Sequence, residues 1–233
     1  MLLCVLVPQY NVGRQSKCNL SGSVGPYKGE WQATEGGGGS VGKFTVWEGG
    51  HREVGVARWP GVVPAGVVSD ALVSTLDIFP TLTAEAGASL PSNRVYDGMD
   101  IGQVLRGNAS AGHTTLFHPL SGQWGQFGPI GAVRLGSYKA IYLTGGSFDC
   151  ADKLGKLGIH KTPLLFDLAK DPAESTALSV DSSPELKSVL QRIEAAKAAK
   201  EASIASTPHS TVNWATNSEL EPCCDANKPA CRC

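Results

Sequence analysis

The hydrophobic period of this chain changes near Asn108, and that change constrains the fold more than any other feature. Beyond it, "TTLFHPL", "GAVRL" and "YKAIYLTG" alternate apolar and polar residues with a period of two, the mark of strands. Gly136 and Ser137 separate the last two segments, and a two-residue loop that opens with glycine suits a tight type II′ hairpin. "TPLLFDLAKDPAE" adds a strand followed by an acidic and basic turn. "SSPELKSVLQRIEAAKAAKEAS" is the clearest helix: Ser183 caps it, Pro184 takes the first helical position, and Leu186, Val189, Leu190 and Ile193 form one stripe. Strands followed by one packed helix predict a small antiparallel α+β unit over residues 113–207, with helix 184–204 against one face of its sheet.

Upstream of the change the pattern is less regular. Residues 1–40 carry much Gly, Ser and Asn and read as loop, the first 22 of them as an atypical N-terminal segment. "REVGVARWPG" gives a short apolar strand stopped by Pro60 and Gly61. "SDALVSTLDIFPTLTAEAG" reads as a helix capped by Ser69 or Asp70. Leu72, Leu76 and Phe79 would share its face, Gly87 would stop it, and Pro80 implies a kink or two helices in sequence. "DGMDIGQVLRG" is a turn and a short helix ended by Gly107. Residues 23–112 therefore read as an α/β piece ahead of the sheet, and residues 208–233 as a cysteine-rich tail.

Composition narrows the partners. With 233 residues the chain can bury a real core, and its 20 basic and 21 acidic residues leave a net charge of −1. No basic excess points to nucleic acid, and no run approaches the roughly 20 apolar residues of a spanning helix. Four of the seven cysteines crowd into "CCDANKPACRC", and sequons stand at Asn19 and Asn108. These features suit a secreted or lysosome-like compartment, although "MLLCVLVPQYNVGRQ" is a poor secretory signal.

The segment "GKFTVWEGGHRE", residues 42–53, resembles the sulfatase family, arylsulfatase A and its close relatives, whose members carry Gly-Lys, an aromatic and then Glu-Gly-Gly-x-Arg-Glu. The likeness runs on through "ARWPGVVPAGVVSDALVSTLDIFPTLTAEAGASLP", "YDGMDIGQVLRG", "LGSYKAIYLTGGS" and "PLLFDLAKDPAES", and covers roughly residues 25 to 233. It implies the C-terminal part of a sulfatase/alkaline-phosphatase-like α/β fold, a sulfuric ester hydrolase, and a sulfated small molecule, glycan or lipid as substrate. The resemblance also implies calcium as the cofactor, with ligands not present in this chain. No Cys-x-Pro-Ser-Arg signature, source of the family's formylglycine nucleophile, occurs here, and "PSNR" at Pro91 lacks the cysteine. Where the family has a metal-binding Asp-Asn-Gly-Pro, this chain has "SVGP", with Ser23 and Val24 in place of the ligands. The isolated chain is accordingly expected to be inactive.

Within the motif, Lys43 is the residue of interest. Alone it reads as a solvated loop lysine. In sulfate ester hydrolysis negative charge grows on the bridging and terminal oxygens, and a compact ammonium can sit against one of them. The resemblance implies that role for Lys43, on a loop that its glycines are expected to leave adaptable. Glu48 and Arg52 read as loop-structuring residues, paired or bonded to backbone around Gly49 and Gly50, in preference to a catalytic acid. His51 falls at a variable position and reads as a surface histidine, while His118 and His160 match no motif. Asp97 with Gly98, and Asp167 with Asp171 and Glu174, read as charged turns.

By likeness to the family tail, disulfides Cys223–Cys231 and Cys224–Cys233 are expected, in preference to a zinc site. Cys150 is expected to be unpaired, because its family partner falls at Val41, unless Cys18 has moved into that place. Asn108 is the expected glycosylation site. Two other functions compete: a non-catalytic sulfatase-like protein that binds an anion or a partner, and a small secreted disulfide module, which explains only the tail. An upstream Cys-x-Pro-Ser-Arg would favour the enzyme.

Overall fold

The computed structural model describes residues 2–6, 24–42, 45–121 and 127–207. Two sheets form among these residues. The larger contains β3 (Thr115–Ser121), β4 (Phe127–Leu135), β5 (Tyr138–Thr144) and β6 (Gly158–Asp167), antiparallel and in that spatial order. Leu135 lies opposite Tyr138, so the β4–β5 turn is the two-residue loop expected, and Gly136 takes the positive φ of +58° that its first position requires. The strands over 130–168 agree with the period-two reading.

Strand alternation gives this sheet two buried faces. Ala140 and Leu165 pair across β5 and β6 and face α5 (Pro184–Ser206), where Val189 and Ile193 complete one core. Ile141 and Phe166, one residue along each strand, face the other way and pack with Trp31 and Trp47. The α5 helix begins where the sequence indicates: Ser183 Oγ accepts from the backbone N–H groups of Glu185 and Leu186, with Pro184 next.

The N-terminal part departs further from expectation. Residues 1–40 are not all loop. β1 (Leu2–Leu6) pairs antiparallel with β2 (Val54–Arg58), which gives both strands a backbone partner along one edge. α1 (Glu30–Thr34) is too short for propensity to hold it. It is instead docked by backbone bonds, Glu30 N–H to Ala173 O at 2.9 Å and Trp31 N–H to Glu174 O at 3.1 Å.

The helix expected after Ser69 or Asp70 starts later. A 3-10 turn over Thr75–Asp77 leads into α3 (Ile78–Glu85). Ser74 is the cap: its Oγ accepts from Leu76 N–H, and Asp77 Oδ2 accepts from Ser74 N–H at 2.7 Å. Asp77 is fully buried and also takes Met99 N–H at 2.8 Å and contacts His113 Nε2 at 2.7 Å, so tertiary contacts settle this boundary. Pro80 falls in the first turn of α3, where its missing N–H has no intrahelical role. Leu76 and Phe79, expected to share a face, are both exposed. α4 (Gly102–Leu105) is the short helix before Gly107.

The glycine stretch is packed rather than adaptable. Gln32, wholly buried, donates from Nε2 to Gly36 O at 2.9 Å and Gly38 O at 2.7 Å, and its Oε1 accepts from Gly145 N–H at 3.0 Å. A Cβ on Gly39, whose φ is +94°, would stand 2.5 Å from Gly155 Cα and 2.6 Å from Ser147 O. Here glycine serves close backbone approach and a left-handed conformation together.

Candidate functional site

The motif 42–53 is built around α2 (Glu48–His51), which follows the buried Trp47. Trp47 packs edge-on against Phe166, with ring centroids 5.9 Å apart, and this aromatic contact seats the motif on the sheet. Gly49 and Gly50 follow Glu48. A Cβ on Gly50 would stand 2.5 Å from Gly42 O and 2.7 Å from Thr45 O, so this position must be glycine for α2 to lie against the preceding turn. Gly42 O accepts from Thr45 N–H at 3.1 Å and from Thr45 Oγ1 at 2.6 Å. Lys43, the implied sulfate contact, falls between these two residues in sequence and lies outside the described residues.

Glu48 is the centre of a buried charge cluster. Its Oε1 accepts from Lys139 Nζ at 3.0 Å, and its Oε2 lies 3.4 Å from Arg134 Nη1 and 3.6 Å from Arg52 Nη1. Glu48 and Arg52 thus stand as an ion pair, although the nearer cation is Lys139. Arg52 also lies over the Tyr27 ring, 4.4 Å from its centroid. Lys139, fully buried, donates in turn to Glu174 Oε1 at 2.8 Å, and Glu174 Oε2 accepts from the backbone N–H of Glu48 at 2.7 Å.

The electrostatics follow from this arrangement. Burial pushes the Glu48 carboxyl up, but the charge and hydrogen bond of Lys139, with Arg134 and Arg52, outweigh it and hold Glu48 below the usual range. Burial also dominates at Glu174; with the like charge of Glu48 it raises this carboxyl despite Lys139. Burial alone would make Lys139 easier to deprotonate, yet the two carboxylates reverse the effect and keep it charged.

Sequence reasoning missed most of this cluster. Lys139 and Arg134 are cross-strand partners on β5 and β4, on the face that carries Ile141 and Ala132. A cation at an inward position of "YKAIYLT" was the available signal. Glu174, in the charged turn that the sequence indicates, is wholly buried, and its two oxygens accept from Lys139 Nζ and from Glu48 N–H. His51 is likewise not a surface histidine. Its ring lies 4.3 Å from that of His118, whose Nε2 is buried without a hydrogen-bond partner. Burial, then the charge of Lys139, draws His51 down to about 4; burial, His51 and the nearby cations hold His118 well below its ordinary value. Both rings are neutral at neutral pH.

The remaining expected residues lie apart from this cluster. Asp97 pairs with Lys200 of α5, and His160 Nε2 contacts Thr144 Oγ1 at 2.8 Å. Asn108 is exposed just after α4. Cys223, Cys224, Cys231 and Cys233 fall outside the described residues. Cys150 is disulfide-bonded and so is not the unpaired thiol expected; Cys18, the alternative partner, lies outside the described residues.

Calcium does not fit the residues described here. Val24, which stands where the resemblance puts a ligand, turns its Cγ1 toward Gly49, 3.1 Å from where a Cβ would be. Among the described residues no three His, Cys, Asp or Glu side chains gather to hold a metal. Nor is any helix there long and apolar enough to cross a membrane.

The four-stranded sheet backed by one helix, with a glycine-rich charged motif seated on its other face, is the C-terminal architecture of a sulfatase fold. The PsFucS1 sulfatase from Pseudoalteromonas sp. superposes on 89% of this chain and 38% of its own, with a TM-score of 0.69 at 24% identity. Residues 111–233 match the family model described as the C-terminal region of aryl-sulfatase, and the chain belongs to the sulfatase family. It is 46% identical over 217 residues to arylsulfatase G of Rattus norvegicus, covering 93% of this chain and 41% of that protein. It is 37% identical over 203 residues to arylsulfatase A of Homo sapiens, covering 82% of this chain and 39% of that protein. The chain thus spans about two fifths of the length of these relatives.

Proposed function

We propose that this chain is the C-terminal portion of an arylsulfatase-type sulfuric ester hydrolase, in which Lys43 sits against the sulfate of a sulfated small molecule, glycan or lipid. The observation that carries this reading is the exposure of large apolar side chains. Val54 and Val56 on β2, Leu76 and Phe79 at α3, and Val68 and Val95 in the loops are each 50–91% exposed. Exposed apolar side chains in this number over residues 54–95 are accounted for if another part of a fold covers them. In the sulfatase family, a larger α/β layer would do so.

In this reading the charge cluster under α2 does no bond breaking. It holds residues 45–52 on the sheet, and the lysine ahead of them meets the negative charge that develops on the ester oxygens. The nucleophile and the metal, for which the described residues offer no site, would come from elsewhere in the enzyme. The disulfide at Cys150 supports an oxidising, secretory or lysosome-like compartment.

The packing of Val24 beneath Gly49, where a ligand is wanted, favours the second reading, a non-catalytic sulfatase-like protein that binds an anion or a partner. One comparison separates them. The 233-residue chain is expected not to release sulfate from an aryl sulfate, with or without added calcium. A product extended upstream through a Cys-x-Pro-Ser-Arg segment is expected to do so, and Lys43→Ala in that product to lower turnover sharply. Metal-dependent turnover by the short chain, or unchanged turnover in the Lys43 variant, overturns the assignment.

A further inference from the structure

We propose that the contact between His51 and His118 is an acid-sensitive latch: it holds the end of α2 against β3 while both imidazoles are neutral, and releases it when they take up protons. The latch is independent of the sulfate reading of Lys43, and it gives a role to two histidines that lie beside the charge cluster without an ion pair in it.

Strand alternation places the two rings. His118 on β3 lies opposite Ala132 on β4, on the sheet face that also carries Arg134, Lys139 and Ile141. The bonds of Glu48 to Lys139 and Arg134 lay α2 on that face. His51, the last residue of α2, brings its ring centroid to 4.3 Å from that of His118, with an interplanar angle of 43°. The β3–β4 pairing slips directly after His118, at Pro119, and slips of this kind re-aim the neighbouring side chain.

These surroundings suit the rings only while they carry no charge. Lys139 on β5 acts on both, Arg134 on β4 acts on His118, and Glu48 on α2 acts on His51. Glu48 is engaged by Lys139, Arg134 and Arg52, so it is not free to neutralise an imidazolium. A protonated imidazole is a donor at both nitrogens, and His118 Nε2 is buried without a partner. Charging His118 therefore buries an unmatched donor among cations, and charging His51 as well sets two like charges in contact. Parting α2 from β3 returns both rings to water and removes these costs.

The sign follows. Burial, then Lys139, holds His51 at about 4, and burial with the neighbouring cations holds His118 well below its ordinary value, against about 6.5 for either ring in water. Below that value the closed form binds fewer protons than the open one, so acid favours opening. For His51 alone the open form gains about twentyfold between pH 7 and pH 5.

Hydrogen exchange of the 233-residue chain at pH 7 and pH 5, corrected for the intrinsic rate at each pH, makes the test. The amides of Glu48, Gly50 and Arg52 report on α2, since they donate to Glu174 Oε2, Trp47 O and Glu48 O. Their protection is expected to fall at least about tenfold at pH 5, while that of β5 and β6 changes by less than about threefold. Unchanged protection in α2, or an equal fall throughout the sheet, overturns the latch.

The combined His51→Phe and His118→Phe variant keeps two rings in contact and removes both titrating groups. It is expected to hold at pH 5 the protection it has at pH 7. Acid opening as large as in wild type would assign the effect to Glu48 or Glu174 and overturn the latch. If this variant does not fold, the Cε1–H resonances of the two rings in wild type decide. Shifts of both over the pH interval in which α2 opens support the latch, and shifts near pH 6.5 with α2 still protected overturn it.

Discussion

Replacing Lys139 by methionine tests the buried cluster energetically. Glu48 would keep Arg134 and Arg52 at 3.4 Å and 3.6 Å, so its charge stays compensated. Glu174, wholly buried, would lose its only ion-pair partner among the described residues. A carboxyl so placed takes up a proton rather than remain charged. Holding it neutral at pH 7, against about 4.3 in the unfolded chain, spans about 2.7 pH units, or about 3.7 kcal/mol at 1.36 kcal/mol per unit. That agrees with the roughly 3–5 kcal/mol found when one partner of a buried pair is removed.

The pH dependence has a definite sign. The folded variant holds a proton that its unfolded chain releases, so its stability falls as pH rises between about 4.3 and 7. Relative to wild type, the loss should therefore shrink by about 1.4 kcal/mol per unit on acidification, to about 1 kcal/mol at pH 5. Urea unfolding at pH 7 and pH 5, followed by the fluorescence of the buried Trp31 and Trp47, measures both numbers. A loss below about 1 kcal/mol at pH 7, or one that does not change at pH 5, would refute the reasoning.

Three further outcomes are expected. Gly39→Ala forces a Cβ within 2.5 Å of Gly155 Cα at φ +94°, and should destabilise the protein by about 2 kcal/mol or more, read as a lower Tm; an unchanged Tm would show that the 36–40 stretch is not packed as described. Ile193→Ala, at a wholly buried position between α5 and the sheet, should cost about 2–5 kcal/mol in urea unfolding, and a loss under about 0.5 kcal/mol would mean that the helix is not seated there. Asn108, exposed after α4, should carry a glycan when the chain is secreted; digestion with peptide N-glycosidase should lower the mass of wild type but leave Asn108→Gln without that component, and an identical shift in both would exclude the site.

The sequence by itself determined what local rules control. Alternation along "GAVRL" and "YKAIYLTG" with a glycine between them leaves a hairpin as the way to bury both strands. Ser183, Pro184 and the stripe ending at Ile193 specify where the last helix starts and which side it buries. The motif 42–53 was legible as a family mark because its residues are contiguous. The tertiary structure decided what depends on partners far along the chain. Ser69, Asp70 and Ser74 are all able to cap a helix, and the buried Asp77, bonded to Met99 and His113, selects Ser74. The glycines at 36–39 look flexible until Gln32 and Gly155 close around them. Glu174 looks like a turn acid until Lys139 supplies a buried cation 35 residues away and Glu48 an N–H 126 residues away. A side chain's charge is local, but the energy of burying it is set by what the fold places beside it, and only the folded chain brings those groups within 3 Å.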